Sequence, residues 1–306
     1  MAVLVADEYH EDGFQSVYTD LVRVSPFIWI KALEGLSSSE NEEFFATRSR
    51  QARAAGLKVG AYHWVLMRQD GAAQAEAFLD AAPDADAYAL DVEEGTQGKP
   101  SFNGDASTAT IVRVVRAYVQ RLHELLPDKP IVAYGRSFLV DRGIVWTDLF
   151  QGMPYVIAWI KRYDNAFRGD DVADWTRGDF ISYAEPEQIG CPANRVGLIQ
   201  YTNGEDGPGP MTLSGFNRDG DINALLVPLS RITGDAGDVT TMERRGDDEP
   251  DAADRLAELE GFMDVLRRKL GATNDPSKPS TRAGAAARIA RTVRRAEKQA
   301  ASEDGS

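Results

Sequence analysis

Cysteine is almost missing from this 306-residue chain. Cys191 stands alone, so no internal disulfide can form and a zinc site built on several thiolates is excluded. A single thiol of this kind reads as buried or incidental. Histidine is scarce as well: His10, His63 and His123 are too few and too scattered for a metal site. His63, beside Tyr62, reads as a hydrogen-bonding site residue or a core histidine. Basic residues fall short of acidic ones, 34 against 48, which leaves a net charge of -14. That excludes a general nucleic-acid binder, whose affinity comes from Lys and Arg on phosphates, but leaves room for a neutral or cationic substrate. No apolar stretch approaches the ~18 residues of a membrane span. The opening Met-Ala-Val-Leu-Val-Ala-Asp has no basic lead-in, and Asp7 cuts its apolar run short. It reads as a first buried strand rather than a signal peptide. The expectation is synthesis in the cytoplasm, with some other agent needed to reach a substrate outside.

What is present describes a folded enzyme-sized domain: 43% hydrophobic residues, five Trp and ten Tyr. Short β-rich apolar runs recur at 3–6, 27–31, 57–62, 88–92, 131–134, 155–160 and 197–201. Helical patterns lie between several of them. Residues 41–55 end at Gly56, suited to a helix C-terminus, and 72–79 are Ala-rich. In 108–126, Ile111, Val115, Tyr118, Leu122 and Leu125 share one face ahead of Pro127. Strands alternating with helices predict a parallel sheet covered on both faces, as an α/β barrel or a doubly wound sheet. No Gly-rich phosphate loop follows any strand, which disfavours the nucleotide-binding version. After about residue 160 the helical signal thins, so strand and loop are expected there.

One regularity favours the barrel. Polar or aromatic residues stand at successive strand ends: Asp7, then Lys31 and Glu34, then Tyr62, His63 and Trp64. Asp91 and Glu93 come next, followed by Tyr134, Trp159, Gln200 with Tyr201, and Asp221. In a β/α barrel such ends converge on one mouth, where active sites sit. Within Asp91-Val92-Glu93, residues i and i+2 of a strand face the same way, ~6.5–7 Å apart. Two carboxylates at the end of a buried strand are costly unless used. Glycoside hydrolysis uses such a pair: one protonated, to give its proton to the leaving oxygen, and one ionised, beside the oxocarbenium-like centre. Taken alone, the pair fits a solvated strand end or a metal site as well.

The surrounding sequence resembles glycoside hydrolase family 25, the lysozymes of fungi, streptomycetes and many phages, over most of residues 1–228. Phe27-Ile28-Trp29-Ile30-Lys31-Ala32-Leu33-Glu34-Gly35 is similar to that family's apolar strand followed by Lys-Ala-Thr-Glu-Gly. Ala54-Ala55-Gly56-Leu57-Lys58-Val59-Gly60-Ala61-Tyr62-His63-Trp64 is similar to its Ala-Gly-Leu-x-Val-Gly-x-Tyr-His-Phe, and Asp91-Val92-Glu93 to its Asp-x-Glu. Ala75-Glu76-Ala77-Phe78, Pro130-Ile131-Val132-Ala133-Tyr134 and Trp159-Ile160-Lys161-Arg162-Tyr163 follow in the family's order. Ile199-Gln200-Tyr201 and Gly220-Asp221-Ile222-Asn223 close the series.

The resemblance implies a TIM-like β/α barrel with a partly degenerate helix ring, acting without a cofactor. It implies a muramidase that cleaves the β-1,4 bond between N-acetylmuramic acid and N-acetylglucosamine in bacterial peptidoglycan. By position Glu93 would be the general acid/base. Asp91 would either stabilise the oxocarbenium charge or orient the substrate's own N-acetyl group, and Asp7 and Asp221 would complete an acidic cluster. Tyr62, Trp64, Tyr134, Trp159, Gln200, Tyr201, Lys31 and Glu34 would bind substrate, the rings by stacking or hydrogen bonding. Two departures stand out. Glu8-Tyr9-His10 follows Asp7 where the family has a small hydroxyl residue, and Ile199 replaces a Trp, loosening a sugar platform.

Composition changes near Arg231. Residues 1–230 hold 20 basic and 33 acidic residues, and 231–306 hold 14 and 15, so the acidity belongs to the catalytic domain, 1–230. A Gly/Asp-rich linker follows at 231–251. Leu256, Leu259, Met263, Leu266 and Leu270 then form an a/d seam in a short coiled-coil-like helix at 252–271, too short to stand alone and in need of a partner, either another copy of itself, the favoured reading, or the domain surface. Residues 272–306 read as a linker and a basic helix, solvated or anion-binding. A phage endolysin released to the host wall is the leading setting. A virion tail protein carrying the same enzyme, and a glycan-binding barrel without turnover, are the alternatives.

Overall fold

The computed structural model describes residues 3–9, 17–99, 102–162, 172–203, 206–208, 213 and 221–234. All of them fall in the first of the two units, Met1–Glu249 and Pro250–Ser306, into which the chain divides. Residues 235–251 of the expected linker, the seam of Leu256, Leu259, Met263, Leu266 and Leu270, and the basic stretch therefore lie outside the described residues.

Eight strands close a barrel in sequence order: β1 (Val3–Glu8), β2 (Phe27–Glu34), β3 (Lys58–Trp64), β4 (Ala87–Asp91), β5 (Ile131–Tyr134), β6 (Val156–Lys161), β7 (Val196–Thr202) and β8 (Asp221–Leu225). Pairings from β1 through β7 are parallel. The expectation of an all-parallel sheet fails at the last strand, because β8 runs antiparallel to both β1 and β7. An antiparallel neighbour needs no helical crossover, and none is found among the described residues between β7 and β8. The reversal places Asp221 at the start of β8, opposite Asp7 near the end of β1.

The helices are α1 (Tyr18–Leu21), α2 (Ser39–Ala54), α3 (Gly71–Ala81), α4 (Thr108–Leu125), α5 (Ser137–Asp141), α6 (Trp146–Leu149), α7 (Arg177–Ala184) and α8 (Leu229–Thr233). Three long ones, α2 to α4, cover one side of the barrel, and the rest are one or two turns. This is the thinning of helical signal seen in the sequence. Local chemistry starts the helices: Asp70 caps α3 by accepting from the Ala73 amide, and Ser107 caps α4 from Thr110. Thr176 and Asp179 form a reciprocal capping box on α7. Helices α3 and α4 approach so closely that a Cβ on Gly71 would lie 2.1 Å from the Val114 carbonyl oxygen. In α8, Ile232 is fully buried, so the barrel's own structure continues past the expected boundary at 230.

Two apolar layers follow from the two-residue period of the strands. Outward residues such as Ala6, Ile28, Val59, Ala61, Leu90, Ala158 and Ile199 pack under the helices. Inward residues such as Val5, Phe27, Trp29, Ala89, Val132, Ile157 and Leu198 fill the barrel. Gly60 makes room for this filling, since a Cβ there would stand 2.3–2.5 Å from the rings of Trp29 and Phe27. Above the apolar plug the inward positions turn polar, and there the cavity opens.

Candidate active site

A cavity of about 300 Å³ occupies the mouth where β1 to β7 end. It is lined by Asp7, Tyr9, Lys31, Glu34, Tyr62, Trp64, Asp91, Glu93, Gly95, Thr96, Tyr134, Trp159, Gln200 and Asp221. The four expected acids are all there, as are seven of the eight expected substrate-binding residues.

Tyr201 is the exception. It is fully buried in the outer layer, with its ring 5.9 Å from Phe180 on α7. Gln200 faces the barrel, so the next residue along the pleat must face the helices. The same alternation corrects the reading of Ile199. It too is fully buried in the outer layer, so the residue at this position offers no sugar platform in this chain. His63 is resolved as a core histidine: it lies between Tyr118 Oη at 3.0 Å and the Gly35 carbonyl at 2.9 Å. Its burial drives its pKa down to about 3.

Asp91 is the last residue of β4, and Glu93 stands beyond the strand, so the pair shares the cavity without sharing a strand face. Asp91 is buried, and its Oδ1 has no hydrogen-bond partner. Burial first, and the neighbouring Glu93 charge second, hold its carboxyl well above the usual range, against the pull of Lys31 and Lys161. Glu93 Oε1 accepts from Lys161 Nζ at 2.8 Å. Burial works to lower the Lys161 ammonium, but Glu93, with Asp91 and Asp221 beyond, more than offsets it and raises it.

Asp7 is held by two amide relays. Asn223 Nδ2 donates to Asp7 Oδ2 at 2.7 Å, and Asn223 Oδ1 accepts from the Trp159 indole at 2.7 Å. Gln200 Nε2 approaches the same Oδ2 at 3.4 Å, while its carbonyl accepts from Tyr134 Oη. Lys31 pairs with Glu34 at 2.9 Å and sits 5.1 Å from the Trp64 ring centroid. Trp159 stacks on Trp29 below it at 5.2 Å and meets Tyr134 edge-on. These bonds fix the rings and acids before any ligand arrives. Sequence reasoning missed Tyr9, Gly95 and Thr96 as lining residues, and assigned no role to Asn223 and Lys161. The last two had a signal, because each lies two residues along its strand from an inward site residue, Asp221 or Trp159.

Among the described residues, no three His, Cys, Asp or Glu side chains are grouped so as to hold a metal ion. The acids are interleaved with lysines and amides instead. Polarised carboxyls flanked by aromatic rings, at the mouth of a closed barrel, suit protonation of a glycosidic oxygen and support of a cationic sugar centre.

The profile of the glycosyl hydrolases family 25 matches residues 7–190. The chain belongs to that family. It is a glycoside hydrolase, and its fold agrees. A bacterial lysozyme from Streptomyces coelicolor aligns at 18% identity and TM-score 0.52, over 76% of this chain and 96% of that one. A muramidase from Trichobolus zukalii aligns at 19% and 0.53, over 76% and 97%. A family 25 glycosyl hydrolase from Bacillus anthracis aligns at 18% and 0.54, over 76% and 92%. At such identities the likeness is one of fold. Among curated proteins no match is found.

Proposed function

We propose that this family 25 hydrolase is a muramidase, cleaving the β-1,4 bond between N-acetylmuramic acid and N-acetylglucosamine in bacterial peptidoglycan. The observation that carries the reading is the unlike pair Asp91 and Glu93 in one aromatic-walled cavity. Glu93 gives a proton to the leaving oxygen and afterwards takes one from the attacking water. In the unliganded protein burial and the neighbouring Glu93 charge favour the protonated form of Asp91, while Lys161 pairs with Glu93. For Glu93 to act as the acid, a sugar entering the cavity must loosen the Lys161 contact. The unpartnered Asp91 Oδ1 supports the orienting role for this residue: it would accept the N–H of the substrate's acetamido group. That bond turns the acetamido oxygen toward the anomeric carbon as the internal nucleophile. Asp7 and Asp221 supply negative field for the oxocarbenium-like charge. The setting we propose is wall lysis by a phage endolysin.

The test is release of reducing ends from purified peptidoglycan by wild type and Glu93→Gln. Wild type should release muramic-acid reducing ends, and the variant should be slower by about 10²–10⁴-fold. A bell-shaped pH profile should accompany it, because one carboxyl must be protonated while another is ionised. Failure of wild type to release such ends, or a variant as fast as wild type, rejects the reading.

A further inference from the structure

Hydrogen bonds of the β-ladder stop short of the proposed acid. The last of them on β4 run from the Val65 amide to the Asp91 carbonyl, 3.1 Å, and from the Val92 amide to the Tyr134 carbonyl, 3.0 Å. Glu93 lies one residue further on, at the start of the connection to α4. That connection then returns to it. Asn103, only 1% exposed, donates through Nδ2 to the Glu93 carbonyl and to the Val65 carbonyl, each at 2.9 Å. Its Oδ1 accepts from the Met67 amide at 2.9 Å, and its own backbone N–H donates to the Glu94 carbonyl at 2.6 Å.

We propose that Asn103 is a positioning residue for the acid. It clamps the backbone of Glu93 to the loop after β3, beyond the reach of the barrel's ladder. The inference rests on the muramidase reading above, in which Glu93 is the acid. Both N–H donors of one side chain are used on main-chain carbonyls and its oxygen on a main-chain amide, so the carboxamide has one orientation. A flipped amide would set its oxygen against two carbonyls. The rest of the connection is fastened separately: Arg142 donates to the Ala106 carbonyl at 2.9 Å and to that of Gly104. Loss of the Asn103 side chain thus removes the clamp on the Glu93 carbonyl, while the backbone bond from residue 103 to the Glu94 carbonyl and the Ala106 end stay tied. A misplacement of about 1 Å in a catalytic group lowers turnover by about 10²-fold without need to alter sugar binding.

The variant of choice is Asn103→Asp, the same shape with both donors removed and the acceptor for Met67 kept. Turnover and KM are measured on soluble peptidoglycan fragments below the variant's melting temperature, with Asn103→Ser alongside in case the aspartate variant does not fold. The expected result is kcat lowered about 10–100-fold with KM within about twofold. The same substitution in the Glu93→Gln background should cost less than about threefold, because there is no acid left to misplace. Equal losses in both backgrounds, kcat and KM moving together, or a lower melting temperature with turnover unchanged would overturn the proposal. The Glu93→Gln control separates the two readings. A fast Glu93→Gln enzyme sinks the muramidase mechanism itself, whereas a slow one with equal Asn103→Asp losses in both backgrounds sinks only the clamp.

Discussion

Asp7 and Glu8 are adjacent carboxylates on one strand, and they have opposite fates. Asp7 faces the barrel interior, where amides orient it toward the cavity. Glu8 faces the helices and is buried. There it accepts from Arg48 Nε and Nη2 of α2, each at 3.1 Å, and from Tyr18 Oη. The same contrast separates Tyr62 from His63 and Gln200 from Tyr201. Polar groups on the inner face reach the cavity, whereas those on the outer face are enclosed by protein partners. Chemistry should therefore respond to inner-face changes and stability to outer-face ones, and five substitutions press on that division.

The largest effect is expected from Asp91→Asn. Loss of the carboxylate should lower turnover by about 10²–10⁴-fold, while the fold becomes more stable at neutral pH. The sign follows from linkage. The folded pKa of Asp91 is raised above that of the unfolded chain, about 3.9, so the folded state holds a proton that the unfolded state has lost. Its favourable contribution is complete below pH ~3.9 and is lost as pH rises through the folded value. Asparagine removes that loss, so the melting temperature should rise by about 2–4 °C at pH 7 and by almost nothing near pH 4. A variant that is inactive and less stable at pH 7 would show that the inner face also holds the fold.

Arg48→Met makes the opposite case. It leaves Glu8, whose side chain is 2% exposed, buried without its cation, at a cost of about 3–5 kcal/mol. A fall of about 10 °C in melting temperature should come with turnover within about threefold of wild type at 25 °C. A loss of activity far beyond the unfolded fraction would mean that the outer ion pair also sets the position of Asp7.

Next in size is a pair of neighbours on β7. Gln200→Ala removes the amide between Tyr134 and Asp7 and should lower turnover about tenfold. Tyr201→Phe keeps the ring against Phe180 and should change turnover less than twofold. Equal losses would place Tyr201 in the site after all.

This pair also shows where sequence was legible. The runs that became β1 to β7 stood out because strands buried on both faces are nearly continuous in apolar residues. The ends of those runs gave the cavity, because a barrel gathers strand ends at one mouth. Tyr201 was misplaced because a matching motif carries neighbours together, whereas the pleat sends them apart. Counting by twos from Leu198 would have separated it from Gln200. The direction of β8 had no such signal, since the pattern of five residues reads alike both ways. Asn103 was invisible for another reason: its partners are main-chain atoms of Val65, Met67 and Glu93, and no side-chain pattern encodes them.

The smallest effect concerns pH, and it sets the two faces against each other. His63 on the outer face keeps its neutral form, with its pKa lowered to about 3 chiefly by burial, against an unfolded value near 6.5. Its contribution is complete above pH ~6.5. Below that the unfolded chain binds a proton that the folded one refuses, so stability falls by up to about 1.4 kcal/mol per pH unit until the folded value is reached. Asp91 has the opposite sign and supports the fold as pH drops through its raised folded value. His63→Gln should remove the outer contribution and leave the inner one, so that the variant, although less stable overall, gains about 1 kcal/mol on acidification from pH 7 to 5.5 relative to wild type. Denaturant titrations at the two pH values measure this difference, and equal pH slopes in the two proteins would show that His63 is not the group held neutral.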